Sequence, residues 1–339
     1  MKKIYLLCGS PSTEHDISLR SAKNICENLN KEKYELKIVY IDKRGHFSKP
    51  FNFENIKSEF DLVRKTDDDF SKSIFDFLND VNDRENSLVI PCVHGNFGED
   101  GKLQGFLDIC GIKYIGNGVL SSAICMDKET SNDIFQLHNI KQARYMTCTS
   151  SSLDEKFLDE CIEYIKFPMI VKPSANGSSI GVNKALNRED LKKYINEALK
   201  YDKKALIEEL IEAQEIEISV VGDINPKTSK PGAYISNHTF LDYDAKYFDK
   251  ETIEKVPYEM NSEDETKARE IAKKAYIACH CEGFARVDIF YKKESHEFFI
   301  NEINTFPGLT PSSFFARLWE KTYDVNFEKF LDELIEEKL

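Results

Sequence analysis

Residues 283–313 read GFARVDIFYKKESHEFFINEINTFPGLTPSS, and the organisation of the whole chain turns on how this stretch pairs with itself. Residues 286–291 and 297–304 alternate and are rich in β-branched and aromatic side chains, and the KKES between them suits a turn. On a strand, residues two apart share a face. Arg286, Asp288 and Phe290 therefore share one face of the first strand, and Ile300, Glu302 and Asn304 one face of the second. If even residues pair with even, an Arg, an Asp, a Glu and an Asn converge at one end of the hairpin. Three hard oxygen donors beside a cation are a set that Mg²⁺ favours, completed by waters and phosphates. The competing reading is a surface hairpin with solvated charges. Against it stand Val287, Ile289, Phe298 and Ile303, which suggest a buried sheet where unpaired carboxylates would be costly.

The 339 residues suit two or three domains with a sizeable core. The net charge of −13 argues against a nucleic-acid or anionic-membrane partner. Nine cysteines are scattered without CxxC pairs, which fits reduced thiols in a cytoplasmic protein. The tight cluster Cys279-His280-Cys281 reads as buried thiols on a helix rather than a metal site. The opening MKKIYLLCGS is too short an apolar run for a signal peptide, and no stretch reaches membrane-spanning length.

Outward from the hairpin, residues 3–8 form an apolar strand that Gly9-Ser10-Pro11-Ser12 breaks, and 16–29 have helical spacing. Strand, turn and helix in this order open a nucleotide-fold unit. Further strands are expected over 36–41, 87–93 and 113–115, and a helix over 103–110. The glycine-rich 94–101 loop follows the strand at 87–93, at a carboxyl end where α/β sheets place ligands. A first domain ends near Ser121. Next come a helix over 123–137, a strand over 166–173 running into the small-residue loop 174–181, a helix over 189–199 and a strand over 205–210. Small residues in that loop let backbone amides face a phosphate. A strand over 215–221, an irregular segment over 242–258, a helix over 262–280 and a closing helix over 327–337 complete the chain.

Six stretches in this order are together similar to D-alanine–D-alanine ligases of the ATP-grasp superfamily: STEHDISLRSA, HGNFGEDGKLQG, YIGNGVLSSAICMDK, FPMIVKPSANGSSIGV, DYDAKY, and GFARVDIF followed by NEINTFPGLTPSS. The resemblance spans nearly the whole chain. It implies an α/β (α+β) fold of three domains: a Rossmann-like parallel-sheet domain over 1–122 on the first-substrate side, a small central lid over 123–213, and a mixed or antiparallel sheet domain over 214–339 with the metal and second-substrate sites. It further implies a homodimer that joins two D-alanine molecules at the expense of ATP, with two Mg²⁺ or Mn²⁺ ions, for peptidoglycan precursor synthesis. A carboxylate is a poor electrophile, so ATP would first convert it to an acyl phosphate that the second amine displaces. Such a site needs phosphate neutralisation, amino-acid anchors and exclusion of water.

Carried over residue by residue, the resemblance makes Asp288, Glu302 and Asn304 the metal ligands, with Glu302 bridging two ions. Lys128 and Lys172 become the phosphate lysines, with Ser179 in the phosphate loop. Glu208 and Glu215 hold the adenine edge and the ribose, and Glu209, Leu210 and Ile211 frame the base, partly by backbone. Glu14 pairs the first D-alanine's ammonium, with Ser178 and Tyr247 as its hydrogen-bond partners, and His94 lines that site. Arg286 and the Gly308 amide form the oxyanion site. Lys246 and Ser313 hold the second carboxylate, and Lys246 also reaches the transferred phosphoryl group. The segment around Lys246 and Tyr247 is expected to close over the bound substrates.

Taken singly these residues have plainer readings: a helix-start acid for Glu14, a charged strand end for Glu208 and Glu209, solvated lysines, a structural His94. Two departures from the family stand out. Ser10 replaces the second glycine after the first strand, and Pro311-Ser312-Ser313-Phe314 stands where the family usually has Ser-His-Ser-Leu. The second departure opens the possibility of D-serine as second substrate. D-Lactate is disfavoured, because ester-forming relatives usually lack the tyrosine at Tyr247. A non-catalytic nucleotide-binding protein would be expected to have lost a metal ligand or phosphate lysine, and none is lost. A dehydrogenase reading fails because no GxGxxG follows the first strand.

Overall fold

The computed structural model describes residues 1–53, 56–177, 179–235 and 253–339. Among the described residues the strands fall into three four-stranded sheets and one two-stranded ribbon. The first sheet is built on β1 (Lys2–Gly9), which runs parallel to β2 (Tyr34–Ile41) and to β4 (Ser87–Cys92), with the short β3 (Phe51–Asn52) antiparallel at the β2 edge. A parallel sheet covered on both faces needs continuously apolar strands. Ile4, Leu6 and Cys8 accordingly pack with Leu19, Ala22 and Ile25 of α1 (His15–Asn28). Tyr5 and Leu7 pack the other way, with Phe77 of α2 (Phe70–Asp80) and Leu103 and Leu107 of α3 (Lys102–Ile109). The strand expected over 113–115 is a single bridge, Val89 to Tyr114.

The helix expected over 123–137 is two helices, α4 (Val119–Met126) and α5 (Lys128–Leu137). The break falls at Asp127, whose extended backbone lets its carboxylate accept from Thr130 N and start a new helix. The second sheet has the order β5-β8-β6-β7, all antiparallel: β5 (Tyr145–Thr149), β6 (Met169–Pro173), β7 (Asn183–Ala185) and β8 (Lys204–Glu209). One face packs Met169, Val171 and Ile207 on α6 (Glu155–Ile165) and α7 (Arg188–Ala198). The pleat then turns Ile170, Lys172 and Glu208 the other way.

The third sheet has the order β10-β9-β13-β14, with β9 (Gln214–Val221), β10 (Lys227–Thr228), β13 (Phe284–Lys292) and β14 (Glu297–Asn304). The 17-residue helix α8 (Ser262–Ala278) buries Ala268, Ala272, Ala275 and Tyr276 against Ile216, Ile218, Val287 and Ile289. Cys279 and Cys281 are buried just beyond that helix, without a disulfide. The far end of the irregular segment forms β12 (Ile253–Lys255), paired with β11 (Ala233–Ile235). The last helices, α9 (Phe314–Tyr323) and α10 (Phe327–Lys338), close the chain. Phe315, Trp319 and Phe330 of these helices share one apolar cluster with Ile4 and Leu6 of the first sheet. The two ends of the chain are therefore packed together, and the face of the third sheet that carries the polar hairpin residues looks into a cleft.

Candidate active site

The hairpin pairs as its alternation requires near its end. Arg286 lies opposite Asn304 and Asp288 opposite Glu302, and on the other side Asp288 lies opposite Glu217 of β9. Three carboxylates, Glu217, Asp288 and Glu302, thus form a row across three adjacent strands. Beyond Asp288 the register shifts, so Ile289 pairs with Ile300. The bulge puts Ile300 in the apolar cluster with Val287 and Ile289, not on the face of Glu302 and Asn304 as strict alternation would have it. The displaced residue, Asn301, donates to Glu215 Oε1 at 2.9 Å.

Arg286 grips the row. Its Nε and Nη2 donate to Asp288 Oδ1 and Oδ2 at 2.7 and 2.6 Å, and its Nε lies 3.2 Å from Glu217 Oε2. Asn304 Nδ2 adds a third donor to Asp288 Oδ2 at 3.0 Å. Burial pushes the Asp288 carboxyl up to about 7, with Glu217 and Glu215 adding to the rise and Arg286 opposing it. Burial also works against ionised Glu302, but Lys128, Lys172 and Arg286 together bring it down to about 2. Two carboxylates and an amide oxygen supply hard donors, and one carboxyl is held firmly anionic, so the set suits a divalent cation.

Two lysines face this row, one from the second sheet and one from the start of α5. Lys172, on β6, meets Glu208 Oε2 at 2.5 Å, and Asn132 Nδ2 approaches the other Glu208 oxygen at 3.3 Å. Burial lowers the proton affinity of Lys172, but Glu208, Glu302 and Glu215 outweigh it and the ammonium is held charged. Lys128, the first residue of α5, donates to the Asn176 carbonyl at 2.9 Å and lies 3.3 Å from Glu302 Oε2. Ser179 sits in left-handed backbone (φ 53°) beside Gly177 in the same loop. Ile211 and Glu215 line the cleft, whose volume is about 370 Å³. Glu209 borders it too, but its carboxylate is turned to Arg144 Nε at 2.9 Å and its N–H donates to the Arg144 carbonyl at 2.9 Å.

At the other end of the cleft, Glu14 stands just before α1. Its carboxylate lies against Gly95 and Gly177: a Cβ on Gly177 would come within 3.1 Å of Oε1, and one on Gly95 within 3.5 Å of Oε2. His94 and Glu99 complete a cluster whose ligand atoms lie within 4.8 Å of one another. Both ring nitrogens of His94 are engaged, by Ser21 Oγ and by the Phe306 carbonyl, each at 3.0 Å. His94 therefore lines the cleft without a ring nitrogen left for a substrate or a metal. Burial, with the Glu14 carboxylate adding to it, raises Glu99 to about 8. Gly308 also lines the cleft, and Ser313 Oγ lies so close that a Cβ on Gly308 would stand 2.9 Å away. Ser313 precedes α9, whose first turn receives no side-chain cap, so its N–H groups remain available to an anion. Ser178, Lys246 and Tyr247 lie outside the described residues, as does most of the segment expected to close over the site.

Asn132 and Glu99 line the cleft and Glu217 lies buried behind it against Arg286, and the sequence reading singled out none of the three. Glu217 carries a signal: it stands two residues after Glu215 on an alternating strand and so shares its face. Asn132 reaches Glu208 on β8 from helix α5, and nothing local marks it.

Residues 3–117 match the family described as D-ala D-ala ligase N-terminus, and residues 134–336 the family described as D-ala D-ala ligase C-terminus. The chain is 42% identical over 336 residues to the D-alanine–D-alanine ligase of Finegoldia magna, covering 98% of this chain and 95% of the relative. It is 36% identical over 338 residues to D-alanine–D-alanine ligase B of Clostridium tetani, covering 98% and 92%. Among solved structures, it superposes on the VanG D-Ala:D-Ser ligase of Enterococcus faecalis with a TM-score of 0.83 at 28% identity, covering 100% of this chain and 99% of the other. The ATP complex of the Bacillus anthracis D-alanine–D-alanine ligase gives a TM-score of 0.75 at 26% identity, with coverage of 99% and 97%.

Proposed function

The chain belongs to the D-alanine–D-alanine ligase family, and from that premise we propose how its own residues divide the work of the ligation. The protein is an ATP-dependent ligase that forms D-alanyl-D-alanine. The observation that carries the assignment of roles is that Lys128 and Lys172 line one cleft together with Asp288 and Glu302, with Lys128 reaching Glu302 directly.

ATP lies between the second and third sheets. Lys128 and Lys172 neutralise its phosphates, the Ser179 loop supplies backbone donors, Glu208 and the Glu209–Ile211 backbone hold the base, and Glu215 holds the ribose. Asp288, Glu302 and Asn304 would hold the two Mg²⁺ or Mn²⁺ ions. Such ions, when bound, neutralise charge developing on the transferred phosphoryl group. The first D-alanine places its ammonium at Glu14 beside His94 and its carboxylate toward the lysines. Once that carboxylate is phosphorylated, the second amine attacks the carbonyl carbon. The new oxyanion is met by the Arg286 guanidinium and the Gly308 N–H, and phosphate leaves as the carbonyl reforms. The Ser313 hydroxyl and the uncapped start of α9 receive the second carboxylate.

The division into units at 122 and 213 belongs to the same proposal and is supported by one four-stranded sheet in each. So do the homodimer and the cytoplasmic location. Among the described residues no helix is long and apolar enough to cross a membrane.

Purified protein given ATP, Mg²⁺ and D-alanine should release one phosphate per dipeptide. Absence of turnover with any pair of D-amino acids would overturn the reading. The D-serine alternative has one observation in its favour, the superposition on a D-Ala:D-Ser ligase. Equimolar D-alanine and D-serine should give chiefly D-alanyl-D-alanine, and a majority of D-alanyl-D-serine would reverse that choice.

A further inference from the structure

The Phe306–Leu309 stretch, which contains Gly308, is held from outside itself. Phe306 N donates to Glu99 Oε1 at 3.3 Å, and the Phe306 carbonyl receives His94 Nδ1 at 3.0 Å. Leu309 N donates to Ser21 Oγ at 3.2 Å, and the Leu309 carbonyl receives Asn24 Nδ2 at 2.7 Å. All four main-chain polar groups of the two flanking residues are thus taken by side chains more than 200 residues earlier in the chain, Ser21 and Asn24 on α1 and His94 and Glu99 on the loop after β4. A short loop with its backbone groups satisfied in this way has little freedom left.

Ser21 is the joint of the device. It is fully buried, and its hydroxyl accepts from Leu309 N while meeting His94 Nε2 at 3.0 Å. With the hydroxyl proton on His94 Nε2, the ring proton must sit on Nδ1, which is the nitrogen facing the Phe306 carbonyl. The proton order is then fixed throughout: Leu309 N–H to Ser21, Ser21 O–H to His94, His94 Nδ1–H to Phe306.

We propose that Ser21 is a positioning residue, which through Leu309 and His94 fixes the loop that presents the Gly308 N–H to the developing oxyanion. This inference rests on the role assigned to Gly308 above. Burial keeps the His94 imidazole neutral, against the pull of the nearby Glu14 carboxylate and with help from the Arg286 charge. Glu14, Glu99 and Arg286 are the ionisable groups that face the ring. A hydrogen bond donated to the neutral form of the ring resists its protonation, so losing the Ser21 hydroxyl should raise the imidazole's proton affinity.

The test compares the wild type with Ser21→Ala and Asn24→Ala, using full-length protein, ATP, Mg²⁺ and D-alanine. Ser21→Ala should lower kcat about 10- to 100-fold, the range expected for a displaced oxyanion donor. KM for ATP should stay within about twofold, because the nucleotide lies on the other sheet pair. The acid limb of the kcat–pH profile should move to higher pH, which a merely structural role would not produce. Asn24→Ala releases the Leu309 carbonyl without touching His94, so it should lower kcat and leave the acid limb in place. An unchanged kcat in both variants overturns the proposal, as does a kcat loss in Ser21→Ala matched by an equal rise in the ATP KM. If Ser21→Ala does not fold, the Asn24→Ala result decides alone. Failure of the wild type to make dipeptide would instead overturn the ligase assignment, so the two failures are distinguishable.

Discussion

Replacing Asp288 with Asn should make the empty protein more stable and catalytically dead. Asp288 is 3% exposed, and burial lifts its carboxyl from 3.8 to about 7 despite two contacts from Arg286. The folded state therefore binds this proton more tightly than the unfolded chain does. Stability falls as pH rises from about 4 to about 7, because over that interval the native state carries more protons than the denatured one. Each tenfold change in proton affinity corresponds to about 1.4 kcal/mol, so holding the group ionised at pH 8 costs about 4 kcal/mol. Asn removes the charge but turns one amide donor toward the donors of Arg286 or Asn304, a mismatch that costs about 1–3 kcal/mol. The expected balance at pH 8 is a gain of about 1–3 kcal/mol over the wild type, shrinking to nothing or reversing at pH 4. Thermal melts of both proteins across that range, without nucleotide or metal, measure it. Phosphate release in the presence of ATP, Mg²⁺ and D-alanine should be abolished in the variant. A variant that melts lower than the wild type at pH 8 would refute the electrostatic argument, and one that still turns over would refute the role given to Asp288.

Lys172→Met leaves the Glu208 carboxylate buried without its cation and should destabilise by about 3–5 kcal/mol. Adding Glu208→Gln should recover most of the lost melting temperature while ATP turnover stays absent. The His94 imidazole should titrate below its usual 6.5, so its ring proton shifts should change at lower pH than those of an exposed histidine. Because its folded-state proton affinity is lowered, its contribution is complete above about pH 6.5 and is lost as pH falls below that, which melts at pH 7 and 5 will register. Chelation of divalent ions should stop phosphate release, with Mg²⁺ or Mn²⁺ restoring it and little change in the metal-free melt. Gly283 has φ +65° and a Cβ there would stand 2.8 Å from Gly116 Cα, so Gly283→Ala should lower the melting temperature by the equivalent of about 1–3 kcal/mol.

Much of this protein could be read along the chain because period and sign are local properties. The pleat alone puts Arg286 with Asp288 and Glu302 with Asn304, and the apolar run at β1 announces a sheet covered on both faces. The overlooked elements β5 and α6 were legible in the same way: Asp154 caps a helix whose Leu158, Cys161 and Ile165 are buried. The single helix expected over 123–137 erred because an apolar pattern ran on through Asp127, where a side-chain cap outweighs it. Other features depend on which distant segments meet. The bulge that turns Ile300 inward arises from pairing β14 against β13, and the commitment of Glu209 to Arg144 from the packing beside β5. Ser21 and Leu309 are 288 residues apart, and nothing near either says that they touch. Alternation, capping and charge are written into neighbouring residues. Which nitrogen of His94 carries its proton, and which carboxylate Arg286 holds, follow only once the sheets have been stacked and water has left the cleft between them.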